Sequence, residues 1–305
     1  MAQKNALALG FFDGVHIGHG ALLRAAAEEA EKAGLTPVAL TFDAHPDQVV
    51  RGAEPVLLTT PEERRELMRR YYHIEHVRIL PFNARLRDTP WETFAAQTLL
   101  GELNAGLLVC GEDFRFGRGA EGTAELLSAF CAERGADCRI VPQVCLDGAP
   151  VSSTRIRDLL QSGNWDGALR LFGHPYLLCG TVVHGKRLGG RLGFPTANLP
   201  LGGRLPLPFG VYAATVEVGE AQYLSVTNVG VHPTVGSLPE AVAESWLPDF
   251  SGDLYGRPIR LFLHAFLRSE KRFDSAEELK RQVLRDEAAV RAYFAARKQP
   301  KERTE

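Results

Sequence analysis

A change of texture near residue 173 does most to limit what this chain can fold into. Before it, short β-rich runs alternate with amphipathic helical patterns; after Gly173-His174-Pro175, β-rich runs follow one another, separated by Gly and Pro. Ala6 to Leu9, Pro37 to Phe42, His76 to Leu80 and Leu107 to Cys110 read as strands, and Pro61 to Tyr71, Pro90 to Leu103 and Thr123 to Arg134 as helices. Such alternation predicts βαβ units and a doubly wound parallel sheet, the α/β class. Tyr176 to Val183, Val211 to Val218, Gln222 to Val226 and Ile259 to Phe266 instead suit a small antiparallel β-barrel. Only its last segment reads as helical, from the capping box Ser275-x-x-Glu278 to Phe294. The 305 residues are enough for two cores. Two domains are therefore expected, 1–173 and 174–305, with a charged, frayed tail from Gln299.

Composition removes several classes of function. Hydrophobic residues make up 45% and charged residues 24%, an ordinary globular balance that argues against extensive disorder. With a formal net charge of −2 there is no overall basic field to recruit nucleic acid or an acidic membrane. The apolar stretch near the N-terminus is interrupted by Asp13 and lacks a cleavage-like tail, and no run reaches the length of a membrane span. A cytoplasmic protein is expected, without nucleic-acid or membrane partners, as a monomer or weak homo-oligomer. Cys110, Cys131, Cys138, Cys145 and Cys179 are odd in number and form no C-x-x-C, so reduced structural thiols are expected rather than a disulfide framework or a zinc site.

The densest chemistry lies in Gly10-Phe11-Phe12-Asp13-Gly14-Val15-His16-Ile17-Gly18-His19, between the first strand and a helical pattern beginning near Ala21. Glycines there let backbone approach a ligand, and a helix start offers unpaired N–H groups to anions. Three residues apart, His16 and His19 share a face. A glycine-rich turn with two surface histidines is the ordinary alternative. Three more segments are expected at the same sheet edge. Thr41-Phe42-Asp43-Ala44-His45-Pro46 closes the second strand, where His45 also suits a simple turn. Gly111-Glu112-Asp113-Phe114-Arg115-Phe116-Gly117 follows another strand and also fits a loop plug. Val151-Ser152-Ser153-Thr154-Arg155-Ile156-Arg157 enters a helix; N-capping accounts for one of its hydroxyls.

In the second part, the span from Gly180 to Asn198 combines glycines with Lys186, Arg187 and Arg191 and ends in Phe194-Pro195-Thr196-Ala197-Asn198. It suits a loop laying amides over phosphates, without Walker A spacing. Downstream come Pro208-Phe209-Gly210-Val211-Tyr212, Asn228-Val229-Gly230, Pro233-Thr234 and Asp249-Phe250-x-Gly252-Asp253-Leu254-Tyr255-Gly256.

These motifs, in this order, resemble the bacterial bifunctional riboflavin kinase/FAD synthetase family, whose first half belongs to the nucleotidyltransferase superfamily. The resemblance implies a nucleotidyltransferase-type parallel sheet and a riboflavin kinase-like barrel. It also implies two ATP-dependent reactions: riboflavin to FMN in the barrel, and FMN to FAD with release of pyrophosphate in the first domain. In the adenylyl-transfer site His16 and His19 are the implied catalytic residues. Gly10, Phe12, Gly18, Ser153, Thr154 and Arg157 stand on the ATP side, and His45, Asp113 and Phe114 on the flavin side. In the kinase site the resemblance implies Gly185, Lys186, Gly193, Thr196 and Asn198 at ATP, with Thr196 and Asn198 also holding Mg²⁺, and Glu244 as general base. Arg268 is implied as a flavin-side or a structural residue.

Four positions depart from the family: Ala44 in place of proline, His174 in place of arginine, and Ser245 and Trp246 after the glutamate in place of valine and histidine. The last two bear on the expected base. Rival readings are a nucleotidyltransferase for another substrate, such as pantetheine phosphate or nicotinamide mononucleotide, and a flavin-binding sensor with a silent kinase site. A Rossmann dehydrogenase is disfavoured because no G-x-G-x-x-G with a downstream acidic residue follows the first strand.

Overall fold

The computed structural model describes residues 3–52, 55–185, 193–202, 207–232 and 240–298. Lys186, the Pro233-Thr234 motif and the tail from Gln299 lie outside the described residues. Two compact units form, one of the residues up to Ile156 with Leu171–Gly173, the other of Arg157–Arg170 with the residues from His174.

In the first unit, five parallel strands make one sheet: β1 (Asn5–Leu9), β2 (Thr36–Phe42), β3 (His76–Leu80), β4 (Ala105–Gly111) and β5 (Asp137–Val141), in the order β3-β2-β1-β4-β5. The order reverses at β1, which pairs with both β2 and β4. Helices α1 (Ile17–Ala33), α2 (Pro61–Tyr72) and α3 (Ala124–Ala132) lie between strands in the chain, as the alternating pattern requires. Leu7, Leu9, Leu40, Leu108, Leu127 and Phe130 are among the buried residues of this core. The expected helix from Pro90 to Leu103 is a single turn, Trp91–Thr93, that continues as a π-helical segment, Phe94–Glu102. Two further helices follow the sheet, α4 (Ser153–Gln161) and α5 (Trp165–Phe172).

The second unit is a curled antiparallel sheet of six strands: β6 (Tyr176–Thr181), β7 (Thr196–Pro200), β8 (Gly210–Val218), β9 (Ala221–His232), β10 (Glu240–Trp246) and β11 (Pro258–Ser269). Their order is β6-β11-β8-β9-β10-β7, and a bridge between Val183 and Asn198 joins the chain leaving β6 to the far edge strand. That bridge brings the two edges together as the expected barrel requires. Helix α6 (Ala276–Lys298) follows β11; Val290, Tyr293 and Phe294 on it belong to a cluster with Val211, Ala213 and Val226. Ser275 Oγ accepts from Glu278 N at 3.1 Å as the capping box predicts, but the Glu278 carboxylate reaches Asp274 N instead of the cap's own amide.

Candidate functional sites in the two units

β1 ends at Leu9, and the chain then turns through a loop with unusual backbone angles. Phe12, Gly14 and Val15 have φ of 58°, 79° and 42°, and a β-branched residue in that region is strained by about 1–3 kcal/mol. Hydrogen bonds hold the turn. The Asp13 carboxylate, 2% exposed, accepts from Leu58 N, Thr59 N and Thr59 Oγ1, and Gly14 N donates to Thr59 Oγ1. Phe12 is wholly buried, its ring against Gly10 and edge-on to His19, so it packs the loop from within.

This loop delivers the two histidines. His16 caps α1, its Nδ1 accepting from His19 N at 3.3 Å, and its ring stacks on His19 with centroids 3.6 Å apart at 14°. A Cβ on Gly18 would lie 3.1 Å from the His16 ring, which accounts for glycine between them. Burial holds the His19 imidazole well below its ordinary range, with His16 and the Arg64 guanidinium adding to the effect. Ser152 Oγ caps α4 by accepting from Arg155 N, and Ser153 Oγ donates to the Asp13 carbonyl at 2.9 Å. That bond ties the start of α4 to the histidine loop, while Thr154 is exposed. Arg157 lies four residues beyond Ser153 on α4.

At the carboxyl ends of β1, β2 and β4 lies a cavity of about 630 Å³ lined by Gly10, Leu40, Phe42, Phe94, Phe114 and Phe116 among others. It opens where the strand order reverses, the usual ligand position of such sheets. Phe114 stacks on Phe116 with centroids 5.3 Å apart. Of the residues expected on the flavin side, Phe114 lines this cavity, while His45 and Asp113 are not in its lining. His45 instead caps the short helix Pro46–Arg51, accepting from Asp47 N, with its ring edge-on to Phe11 at 4.8 Å. Asp113 is exposed beside Gly111.

In the second unit, strand pairing gathers the expected kinase residues. Asn198 on β7 and Asn228 on β9 both stand opposite Glu244 on β10, and Thr196 stands opposite Trp246. Alternation along β10 sends Ser245 to the other face, where it is fully buried and its hydroxyl lies 2.9 Å from Thr227 Oγ1. The Ser245-Trp246 departure thus leaves Glu244 in register between two asparagines. Asn198 is 5% exposed and its Nδ2 donates to the Thr196 carbonyl. Gly185 lies against it so closely that a Cβ there would fall 2.5 Å from Asn198 Nδ2. Gly193 is exposed, with φ of 89°. Thr196 and Asn198, two residues apart on β7, supply hard oxygen donors, and a Cβ on Gly185 would crowd the Asn198 amide; the donor set fits Mg²⁺ completed by phosphate oxygens.

Arg268, expected as a flavin-side or a structural residue, makes an ion pair within its own unit. Its guanidinium meets the Asp286 carboxylate through Nε at 3.0 Å and Nη2 at 2.7 Å, tying β11 to α6. Asp286 is 4% exposed.

Sequence reasoning missed Arg64 and Arg155. Arg155 Nη1 donates to the carbonyls of Leu146 and Ala149 and pins the hairpin before α4; Arg64 lies wholly buried beneath the histidine loop.

Comparisons with known proteins cover both units. A family model described as FAD synthetase matches residues 1–155, and one described as riboflavin kinase matches residues 172–294. The bifunctional riboflavin kinase/FMN adenylyltransferase of Escherichia coli strain K12 is 37% identical over 294 residues, spanning 96% of this chain and 93% of that protein. Its Bacillus subtilis strain 168 counterpart is 35% identical over 296 residues, with 96% and 93% covered. A solved structure described as a macrolide-efflux protein from Streptococcus pneumoniae superposes with a TM-score of 0.80 at 32% identity, covering 95% of each chain. Among the described residues no helix is long and apolar enough to cross a membrane. With a model matching each half and relatives aligned across nearly its whole length, the chain belongs to the bifunctional riboflavin kinase/FMN adenylyltransferase family.

Proposed function

We propose that the chain converts riboflavin to FAD in two ATP-dependent steps, phosphorylation in the domain 174–305 and adenylyl transfer in the domain 1–173. One observation carries the adenylyl-transfer half. The stacked His16–His19 pair sits on the loop that begins at Gly10, and Gly10 also lines the aromatic cavity. Phosphate-binding groups and an apolar space large enough for a flavin ring system thus share one strand end.

In this reading an oxygen of the FMN phosphate attacks the α-phosphorus of ATP, and pyrophosphate leaves without any protein nucleophile. The residues act by positioning and by stabilising charge as it moves to the leaving group. His16 and His19 face the phosphates with Ser153, which holds α4 to the loop, and Phe114 packs on the flavin. In the kinase domain Glu244 accepts the proton of the ribityl hydroxyl as it attacks the γ-phosphorus, and ADP leaves. Thr196 and Asn198 would hold Mg²⁺, which supplies charge neutralisation on the transferring phosphates. The cytoplasm is the proposed compartment, in keeping with ATP as co-substrate and with cysteines that are odd in number and form no C-x-x-C.

The test is a time course of riboflavin, FMN and FAD with ATP and Mg²⁺, beside a reaction started from FMN. FMN appearing before FAD is the expected outcome. FAD from FMN with no product from riboflavin would limit the chain to adenylyl transfer, and no turnover in either reaction would leave a flavin-binding protein.

A further inference from the structure

The largest fully buried side chain among the described residues is a cation. Arg64 follows the Thr60–Glu63 capping box at the start of α2 and is 0% exposed. Its Nη1 donates to the Phe11 carbonyl at 2.7 Å and to Thr41 Oγ1 at 2.8 Å, and the Thr41 hydroxyl donates to the same carbonyl at 2.7 Å. Its Cζ lies 4.5 Å from the centroid of the Phe11 ring. One guanidinium nitrogen therefore fastens the residue after Gly10 to β2 and α2.

The rest of the guanidinium is left unsatisfied. Nε and Nη2 are buried without hydrogen-bond partners, and Arg64 makes no ion pair with any described residue. Asp13, Asp43 and Glu63 act on it from a distance. Hydrogen bonds from Leu58 N, Phe82 N and Thr60 N engage those three carboxylates. A buried cation without an ion pair is costly, and an apolar side chain of similar volume would serve a packing role better. The charge points to work at the loop above it.

We propose that Arg64 is a positioning residue for adenylyl transfer, fixing the Phe11 carbonyl and setting a permanent positive charge beneath His19. The proposal rests on reading residues 1–173 as the adenylyltransferase. The charged and titratable groups acting on His19 are His16 at the start of its own helix and Arg64 from α2. His19 Nδ1 is likewise buried without a partner. Together with burial, the guanidinium keeps the His19 ring neutral, so an incoming phosphate meets an uncharged imidazole above a fixed cation. The fork of Nη1 bonds holds the backbone that sets where that ring stands.

The experiment compares Arg64→Met and Arg64→Lys in the full chain, measuring FAD formation from added FMN and the titration of His19 by ¹⁵N-histidine NMR. The His19 signal is assigned by its loss in His19→Gln. Arg64→Met is expected to lower kcat roughly 10- to 100-fold, the scale of a small misplacement of reacting groups, with KM for ATP and FMN within about threefold. Its His19 should titrate at higher pH than in the wild type, and Arg64→Lys, which keeps the charge, should return that titration toward the wild-type value. A kcat within about threefold of wild type in folded Arg64→Met, or an unmoved His19 titration, overturns the assignment. Should Arg64→Met fail to fold, Arg64→Gln is read by the same two criteria. Failure of the wild-type chain to make FAD would count against the adenylyltransferase reading, whereas the His19 titration reports on Arg64 without turnover.

Discussion

Asn198 and Glu244 face each other across the antiparallel pairing of β7 and β10, and Asn228 flanks the same glutamate from β9. An amide on each side keeps Glu244 in a polar stripe on the face opposite Ser245, where a carboxylate is available as a base. Glu244→Gln preserves shape and removes that base. It is expected to lower FMN formation by roughly 10²- to 10⁴-fold while FAD formation from added FMN stays at the wild-type rate. Equal loss of both reactions would point to misfolding and remove Glu244 from the chemistry.

Gly185 lies against Asn198 in the same site. A Cβ there would lie 2.5 Å from Asn198 Nδ2 and 2.6 Å from its Cγ, so an added methyl must push the amide away from Thr196. Gly185→Ala should lower kcat/KM for riboflavin phosphorylation roughly tenfold or more, because misplacement of a positioning group is costly. Thermal unfolding should change little. Wild-type kinase activity in this variant would mean that Asn198 does not have to stay where the structure has it.

His19 carries the corresponding expectation for the first domain. His19→Ala removes one ring of the stacked pair and should reduce FAD formation from FMN by roughly 10²-fold or more, the scale of a lost transition-state donor. Riboflavin phosphorylation in the same preparation should be unchanged. FAD synthesis at the wild-type rate would exclude the histidine pair from the mechanism.

How much of this was legible beforehand depended on burial being written in the sequence. β1, β2 and β4 carry apolar runs and are readable to within a residue or two, and β3, an edge strand with exposed His76 and Arg78, is readable from Val77, Ile79 and Leu80. β5, Asp137–Val141, is the opposite edge strand with the same alternation, but its exposed Asp137 and Arg139 follow directly on the Gly135 turn, and it is not among the strands read from the sequence. β7 and β10 carry the candidate kinase residues, and polar side chains such as Asn198, Glu244 and Ser245 break the hydrophobic alternation by which strands are recognised. Arg64 was hidden for another reason. Within Glu62-Glu63-Arg64-Arg65-Glu66 nothing separates the buried arginine from its solvated neighbour, and only the fold shows that this face of α2 covers Phe11.

Arg268 and Asp286 form a paired contact that is expected to matter for stability more than for catalysis. Asp286 is 4% exposed and accepts from Gln282 as well as from Arg268. Arg268→Ala would leave that carboxylate buried without its cation, a loss on the order of 3–5 kcal/mol. Denaturant unfolding of the kinase domain should show it, with KM for riboflavin unchanged at temperatures where the variant is folded. A raised KM with unaltered stability would restore Arg268 to the flavin side.

His264 gives the second domain a definite response to acid. Its Nε2 lies 3.0 Å from Thr215 Oγ1 and its ring is edge-on to Phe294 of α6. Burial, with the Arg297 guanidinium adding to it, lowers its pKa from the ordinary 6.5 to about 4. Above about pH 6.5 the folded and unfolded chains both hold this imidazole neutral, and it has no effect on the pH dependence. Between there and pH 4 the unfolded chain takes up a proton that the folded chain refuses. Stability therefore falls as the pH falls, by about 3 kcal/mol from this group alone at the lower end. Trp165, which packs on Tyr212 in the same unit at 4.8 Å between centroids, supplies a fluorescence signal for urea unfolding. Measured at about pH 7 and about pH 4.5, the wild type should lose stability that His264→Gln, lacking a titrating ring, retains. Parallel losses in the two proteins would assign the acid sensitivity to other groups and leave His264 a neutral packing residue at both pH values.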